Sequence, residues 1–210
     1  EEGYWNLITS PMSTPINPSE LDYMAGEEGT AGYDLYKFDQ TQELEWINYK
    51  SSAEDGGGFS LEAGTGYLYA CEENTELCFE GTPYTGDGNI TITNESENRW
   101  HGWNLVGNPY NAEAWSSLPY YRMNDGAELV GEVANGNSLQ PMEGFFVHTD
   151  DAESTVTVST TNPNAKSASL TLNISRGRGL LDRAIVSFGN NNTLPKFQLN
   201  PSHTKVYIPR

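Results

Sequence analysis

Short runs of alternating apolar and polar residues recur along the chain: YDLYKFD, GYLYA, ELCFEG, NITIT, GFFVHT, STVTVST, ASLTLNIS and RAIVSF. Side chains of a strand point alternately to its two faces, so this alternation predicts half-buried β-strands. Gly, Pro, Asn, Ser and Thr fill the gaps between runs, which is turn chemistry. Many short strands separated by turns read as an antiparallel β-sandwich or barrel. No window keeps helical periodicity for three turns; NPSELDYMA (Asn17 to Ala25) offers the best start for a short helix, with Ser19 as its cap.

The pattern occurs twice. GYWNLITSPMSTP (Gly3 to Pro15) matches HGWNLVGNPYNAEAW (His101 to Trp115), YDLYKFDQTQELEWI (Tyr33 to Ile47) matches LPYYRMNDGAELVGE (Leu118 to Glu132), and the stretch from Leu61 to Thr82 matches Leu139 to Thr161. The offset shrinks from 98 residues (Trp5 to Trp103) to 85 (Tyr36 to Tyr121) to 78 (Leu61 to Leu139), with order kept. The expected fold is therefore all-β: one domain over residues 1–162, built from two diverged copies of one β unit at 3–93 and 99–161. In each copy Trp and Leu share a strand face (Trp5 and Leu7, Trp103 and Leu105), and Ser10-Pro11 or Asn108-Pro109 ends the strand at a turn. Such a motif reads first as core and turn, and second as a binding site.

After the polar stretch TTNPNAKSAS, a second β domain begins over residues 163–210, with a hairpin around RGRG followed by KFQLN and KVYIP. Four short strands close no sandwich of their own, so this domain is expected to be incomplete. The apolar run ending at Arg210 leaves a strand edge that invites pairing, and an Arg end is what a trypsin-like protease leaves. The expected partner is a downstream fragment of the same polypeptide or a neighbouring subunit, joined by β-augmentation.

Leu, Ile, Val and Phe total 40 of 210 residues and the net charge is −18, at the edge of what folds. Five Trp and twelve Tyr restore the core, since each buried aromatic removes roughly 150–250 Å² from water. The acidity disfavours nucleic acid and anionic lipid as partners, and reads as a solvated surface. No run reaches the length of a membrane-spanning helix.

Cys71 and Cys78 flank EENTEL, and pairing their strands as a hairpin sets both sulfurs on one face, so a cross-strand disulfide and an oxidising compartment are expected; two thiols are the alternative. Neighbouring His residues are lacking, so a zinc site is not expected. No nucleophile elbow, phosphate loop or HExxH motif occurs, and His101, His148 and His203 are scattered, so no catalytic residues are assigned. No cofactor is expected. The turns at Asp87 and at Asp150-Asp151 have some calcium-ligand potential but lack alternating-ligand spacing, and acidic turns are the plainer reading. Asn89, Asn94, Asn173 and Asn191 lie in Asn-x-Ser/Thr triplets, which arise readily in such a composition. Trp100, Tyr110 and Trp115 surround the second Trp-Asn-Leu motif in loop-like sequence, and are the candidate ligand or interface aromatics, for a glycan or a host surface protein.

The pieces GWNLVGNPY, ELEWINY, GYLYA, PMEGFFVHT and LLDRAIVSFG resemble large secreted or surface-anchored, adhesin-like β proteins of the Bacteroidetes, many of them exported by the type IX route. The resemblance spans nearly the whole chain, and its most specific parts are Trp103 to Pro109 and the strand at Asp182-Arg183. It implies an extracellular or cell-surface location, a chain continuing into further β structure, and no catalytic residues. The first copy departs from the motif, with Thr9-Ser10 in place of Gly-Asn. The expected function is a non-enzymatic surface module, adhesin-like or structural; the alternative is a carbohydrate-binding module of a secreted polysaccharide-degrading enzyme.

Overall fold

The computed structural model of the chain describes residues 5–21, 32–54, 58–71, 77–95, 97–123, 129–133, 138–163, 169–177 and 179–187. The chain forms two compact units, Glu1–Pro163 and Asn164–Arg210. Both are built of antiparallel β structure, and the first is a sandwich of stacked sheets.

In the first unit, β1 (Trp5–Ile8), β2 (Tyr33–Phe38), β3 (Trp46–Asn48) and β4 (Tyr67–Cys71) form one sheet in the order β1-β4-β2-β3. After β5 (Asn89–Thr93), a second sheet is formed by β6 (Trp103–Gly107), β8 (Tyr120–Met123), β9 (Leu129–Val133) and β11 (Gly144–His148), in the order β6-β11-β8-β9. First, fourth, second and third strand: the order is the same in both. The pairing positions also agree, because Trp5 opposes Ala70 as Trp103 opposes His148, and Tyr36 opposes Leu68 as Tyr121 opposes Phe146. A third sheet takes β7 (Ala114–Ser116), β10 (Ser138–Leu139) and β12 (Glu153–Ser159) together with β5, in the order β10-β7-β12-β5.

Alternation along these strands sorts side chains into three cores. Leu7, Leu105 and Phe146 are buried between the first two sheets, with Phe38, Trp46, Leu68, Trp103 and Tyr121 packed around them. The other face of the second sheet sends Val106, Tyr120, Phe145 and Val147 against Ile92, Ala114, Leu139, Val156 and Val158 of the third. The other face of the first sheet buries Leu35, Tyr67 and Tyr69 beneath Met12, Ile16, Leu21, Leu61 and Tyr49, the last opening the helix α1 (Tyr49–Glu54). Fully burying one such large side chain contributes about 1.5–3 kcal/mol. Trp5 and Trp103 are both half-buried, each edging against a tyrosine: Trp5–Tyr36 at 5.9 Å and Trp103–Tyr121 at 5.6 Å.

Where the first two sheets meet, they exchange contacts reciprocally. Ile8 bridges Glu143 as Val106 bridges Thr65, and the Thr9 N–H donates to the Met142 carbonyl (3.0 Å) as the Gly107 N–H donates to that of Gly64 (2.9 Å). The approach leaves no room for side chains. A Cβ on Gly66 would lie 2.7 Å from Leu105 Cγ, and one on Gly144 2.9 Å from Leu7 Cβ.

β5, the last strand of residues 3–93, pairs with β12 of the second half. Several expectations are corrected. ELCFEG contributes no strand in its described residues, 77–81; both edges of β4 are already taken, by β1 and by β2. Cys78 therefore has no edge of the Cys71 strand to pair with. No disulfide joins them: Cys71 is half-buried opposite Tyr33, and Cys78 is exposed. Near Asn17 a single 3₁₀ turn (Pro18–Glu20) forms, capped by Asn17, whose Oδ1 accepts from the Ser19 N–H (3.0 Å), so Ser19 is not the cap.

The second unit shows a hairpin, β13 (Ser169–Arg176) with β14 (Gly179–Ser187), whose register runs from Ser169↔Ser187 to Arg176↔Gly179. Gly177 turns it with φ +62°, a conformation open to glycine without strain. The runs KFQLN and KVYIP, Asn191 and Arg210 lie outside the described residues, and with them the expected strand completion at Arg210.

Candidate functional site

An open groove of about 670 Å³ runs along β1, which among the described residues is an edge strand of the first sheet. Trp5, Asn6, Leu7 and Ile8 form one wall, Arg122, Met123 and the segment 140–144 form the other, and Tyr69 and Leu77 also line it. Hydrogen bonds brace the second wall. Arg122 Nε donates to Glu143 Oε1 (2.8 Å), its Nη2 reaches both Glu143 Oε2 and the Ser138 carbonyl, and the Gln140 N–H donates to Glu143 Oε2 (2.7 Å). A forked guanidinium–carboxylate pair fixes orientation as well as charge. The hydrogen bonds that Arg122 donates to Glu143 raise its pKa against the opposing effect of burial. Between Gln140 and Glu143, Met142 adopts φ +58° and lines the groove.

The Asn-Pro turn of the second motif braces this wall. Asn108 is fully buried; its Nδ2 donates to the carbonyls of Ala112 (2.9 Å) and Gln140 (2.8 Å), while its Oδ1 accepts from the Tyr110 N–H (3.1 Å). Ser10 makes only the last of these interactions at the matching place, accepting from the Met12 N–H (3.2 Å). The core-and-turn role of the motif is thus plain in its hydrogen bonds, and it supports a groove from behind.

A second, smaller groove of about 320 Å³ follows β6, lined by Asn104, Leu105, Val106, Lys37, Phe38 and Gly64. Here strand β5 is seated. Asn104 Nδ2 donates to the Thr93 carbonyl (2.8 Å) and its Oδ1 accepts from the Thr93 N–H (3.1 Å), so one side-chain amide satisfies both main-chain groups of a residue. Gln40, nearly buried, also donates to the Thr93 carbonyl (2.8 Å) and accepts from the Gly102 N–H (2.9 Å).

The aromatics singled out in the sequence do not assemble. Trp100 is half-buried against Phe38 (6.2 Å) with the Arg99 guanidinium over its ring. Tyr110 packs on Tyr84 (5.4 Å) and donates to the Gly86 carbonyl (2.9 Å). Trp115 sits within β7, opposite Ser138 and Ser159. Among the described residues no ring contact joins these three. His101 and His148 do meet, with ring centroids 6.2 Å apart, and His148 Nδ1 lies 3.8 Å from Asp150 Oδ1. Asp87 keeps both carboxylate oxygens on Asn89, whose main-chain and side-chain N–H groups hold its pKa below the usual carboxylate value. No three His, Cys, Asp or Glu side chains converge on a metal-sized site among the described residues. No described helix is long and apolar enough to cross a membrane, which leaves membrane crossing by strands unaddressed.

Arg122, Glu143, Met142 and Gln40 were missed in the sequence. The one available signal was scarcity: with eleven Lys and Arg against twenty-nine Asp and Glu, an Arg inside an alternating run has work to do. No family model, curated protein or solved structure matches this chain.

Proposed function

We propose that the chain is a non-enzymatic module of the cell exterior, adhesin-like or structural, that holds an extended segment of another polypeptide along the β1 edge. The supporting observation is the groove itself: among the described residues β1 is an edge strand, and a braced ion pair walls the groove opposite it. Edge strands present main-chain donors and acceptors to any strand that approaches, and alternate side-chain pockets supply selectivity. The strong negative charge keeps such an edge from self-association in the manner of a soluble surface protein.

A second reading is glycan binding at the same place, supported by the Trp5 ring beside the planar polar groups of Asn6, Gln140 and Arg122. One pair of experiments separates them. Whole chain is panned against displayed random peptides and, in parallel, against a glycan array. Gln140→Trp fills the groove from an exposed position whose main-chain hydrogen bonds it leaves in place. The expected result is a set of mutually competing peptides that the variant no longer binds. Glycan hits lost in Gln140→Trp, with no peptides enriched, would replace the first reading by the second.

A further inference from the structure

The turn before β6 and the end of β11 bring two of the chain's three histidines side by side. His148 closes β11 opposite Trp103, the first residue of β6, and His101 lies in the turn that leads into that strand. Their ring centroids are 6.2 Å apart, and both residues are exposed. The backbone builds this juxtaposition. Gly102 is buried at φ +72°, its carbonyl accepts from the Thr149 N–H (2.9 Å), and a Cβ on it would lie 2.8 Å from His148 Nε2. Glycine lets the turn pass beneath the His148 ring in a conformation it adopts without strain. Trp103 edges against the same ring at 5.1 Å.

The ring nitrogens are sorted as well. Nδ1 of His101 lies 2.9 Å from the Asn98 carbonyl oxygen, which only accepts, so in the neutral ring Nδ1 carries the proton and Nε2 keeps its lone pair. Nδ1 of His148 faces the Asp150 carboxylate at 3.8 Å, which draws the proton to that nitrogen too. Neither Nε2 has a hydrogen-bond partner among the described residues. A carbonyl or carboxylate beside one ring nitrogen, with a bare lone pair on the other, is the arrangement that orients imidazole for a metal ion. Two imidazoles bonded at about 2.0–2.1 Å to one tetrahedral ion put their centroids roughly 5 Å apart, about 1 Å closer than here and within a side-chain rotation of two solvent-facing rings.

We propose that His101 and His148 form a two-histidine site for a divalent transition metal, Zn²⁺ or Cu²⁺, held through the two Nε2 atoms with water in the remaining positions. Imidazole nitrogen selects these ions over Ca²⁺ and Mg²⁺, which take oxygen ligands. No third His, Cys, Asp or Glu side chain completes the shell among the described residues, so the site is open and exchangeable, unlike a closed structural centre. Bound there, the ion ties the turn 98–102 to the end of β11. The net charge of −18 gathers cations at the surface without discrimination, and the two nitrogens choose among them.

The test is independent of the β1 groove. Whole chain, stripped by a chelator, is titrated calorimetrically with Zn²⁺ in salt and excess Mg²⁺, which occupies the scattered carboxylates. One site per chain at micromolar concentration is expected. His101→Gln and His148→Gln should each weaken it more than about tenfold, beyond the cost of losing a ligand's orienting partner. Both should keep the metal-free unfolding midpoint, since both residues are exposed. Cu²⁺ should bind more tightly and quench tryptophan fluorescence through Trp103, an effect absent in His148→Gln. Unchanged zinc affinity in either folded variant overturns the proposal, as does no saturable binding to millimolar concentration. Binding lost in Asp150→Ala or His203→Gln but kept in both other histidine variants would place the ion elsewhere and overturn it equally.

Discussion

Met142 and Gly64 hold matching places in two sheets of the same strand order, and both have left-handed backbones, φ +58° and +82°. The turn that precedes β11 is built on the same conformation as the one preceding β4, but with a methionine where glycine is the unstrained choice. A residue with a Cβ pays roughly 1–2 kcal/mol in that region. Met142 is the only described non-glycine residue to do so, and it lines the groove.

Replacing Met142 by Gly is expected to stabilise the chain by about 0.5–1 kcal/mol, the relieved strain less the added entropy of the unfolded state. Gly64→Ala should destabilise by a comparable amount or more, since it meets both the conformation and Ile90 at 3.1 Å. Urea unfolding of the two variants checks the opposite signs. Met142→Gly should also weaken peptide binding, which separates a residue kept for contact from one merely tolerated.

The reciprocal approach of the sheets gives a second prediction. Gly66 and Gly144 each face a leucine of the opposite sheet, Leu105 and Leu7, at distances that exclude a Cβ. Alanine at either position must push apart strands that share the core of Leu7, Leu105 and Phe146, at a cost of about 1–3 kcal/mol each. The two costs should be similar and, because both act on one interface, less than additive in the double variant. Strict additivity by denaturant unfolding would show that the sheets respond independently.

Most strands were legible because their alternation is local: β2, β4, β11, β12 and the β13–β14 hairpin follow the period-two runs. What alternation cannot carry is the identity of the neighbour. Leu77 and Phe79 alternate as well as any strand, yet β4 had both edges filled by β1 and β2, and the disulfide built on that hairpin fell with it. NITIT was recognised as a strand, but its partner β12 lies some sixty residues away, across the second half. The groove was invisible for the same reason. Arg122 and Glu143 are remote in sequence and meet only because β8 and β11 are neighbours in the sheet. Among the described residues Trp100, Tyr110 and Trp115 make no ring contact with one another, because closeness in sequence does not imply a shared surface.

Alkaline pH should expose the buried tyrosines. Tyr67 is 1% exposed, donates to the Ser60 carbonyl (2.8 Å) and accepts from the Glu62 N–H (3.0 Å). Burial pushes its pKa well above the ordinary 10.0, against the lowering effect of the Glu62 hydrogen bond. A raised folded-state value means the folded chain holds its proton longer than the unfolded one. That stability is fully present below pH 10 and is lost as the pH rises beyond it. Tyr67→Phe is expected to lower stability at neutral pH by about 1–3 kcal/mol, leaving the Glu62 N–H without its acceptor. It should also flatten the decline above pH 10, though not abolish it, since Tyr33 and Tyr120 are shifted the same way. Denaturation midpoints from pH 7 to 11 read both effects.

Asn108 and Ser10 allow the turn function of the motif to be separated from its bracing function. Both accept an N–H two residues on, from Tyr110 and Met12, but only Asn108 reaches the Gln140 and Ala112 carbonyls. Asn108→Ser should therefore keep the turn and release the wall. Its expected cost is about 1–2 kcal/mol, against about 2–4 for Asn108→Ala, which also leaves the half-buried Tyr110 N–H without its acceptor. The informative reading is at the groove. Released from Asn108, the Gln140 carbonyl gains freedom while the Gln140 N–H stays on Glu143, so segment 140–144 should loosen about the Arg122–Glu143 pair. Hydrogen exchange at Glu143 and Gly144 should then quicken in Asn108→Ser with the rest of β11 unchanged, and peptide affinity should fall even though Asn108 touches no peptide. Exchange that quickens uniformly along β11 would mean that Asn108 supports the sheet as a whole and gives the groove no support of its own.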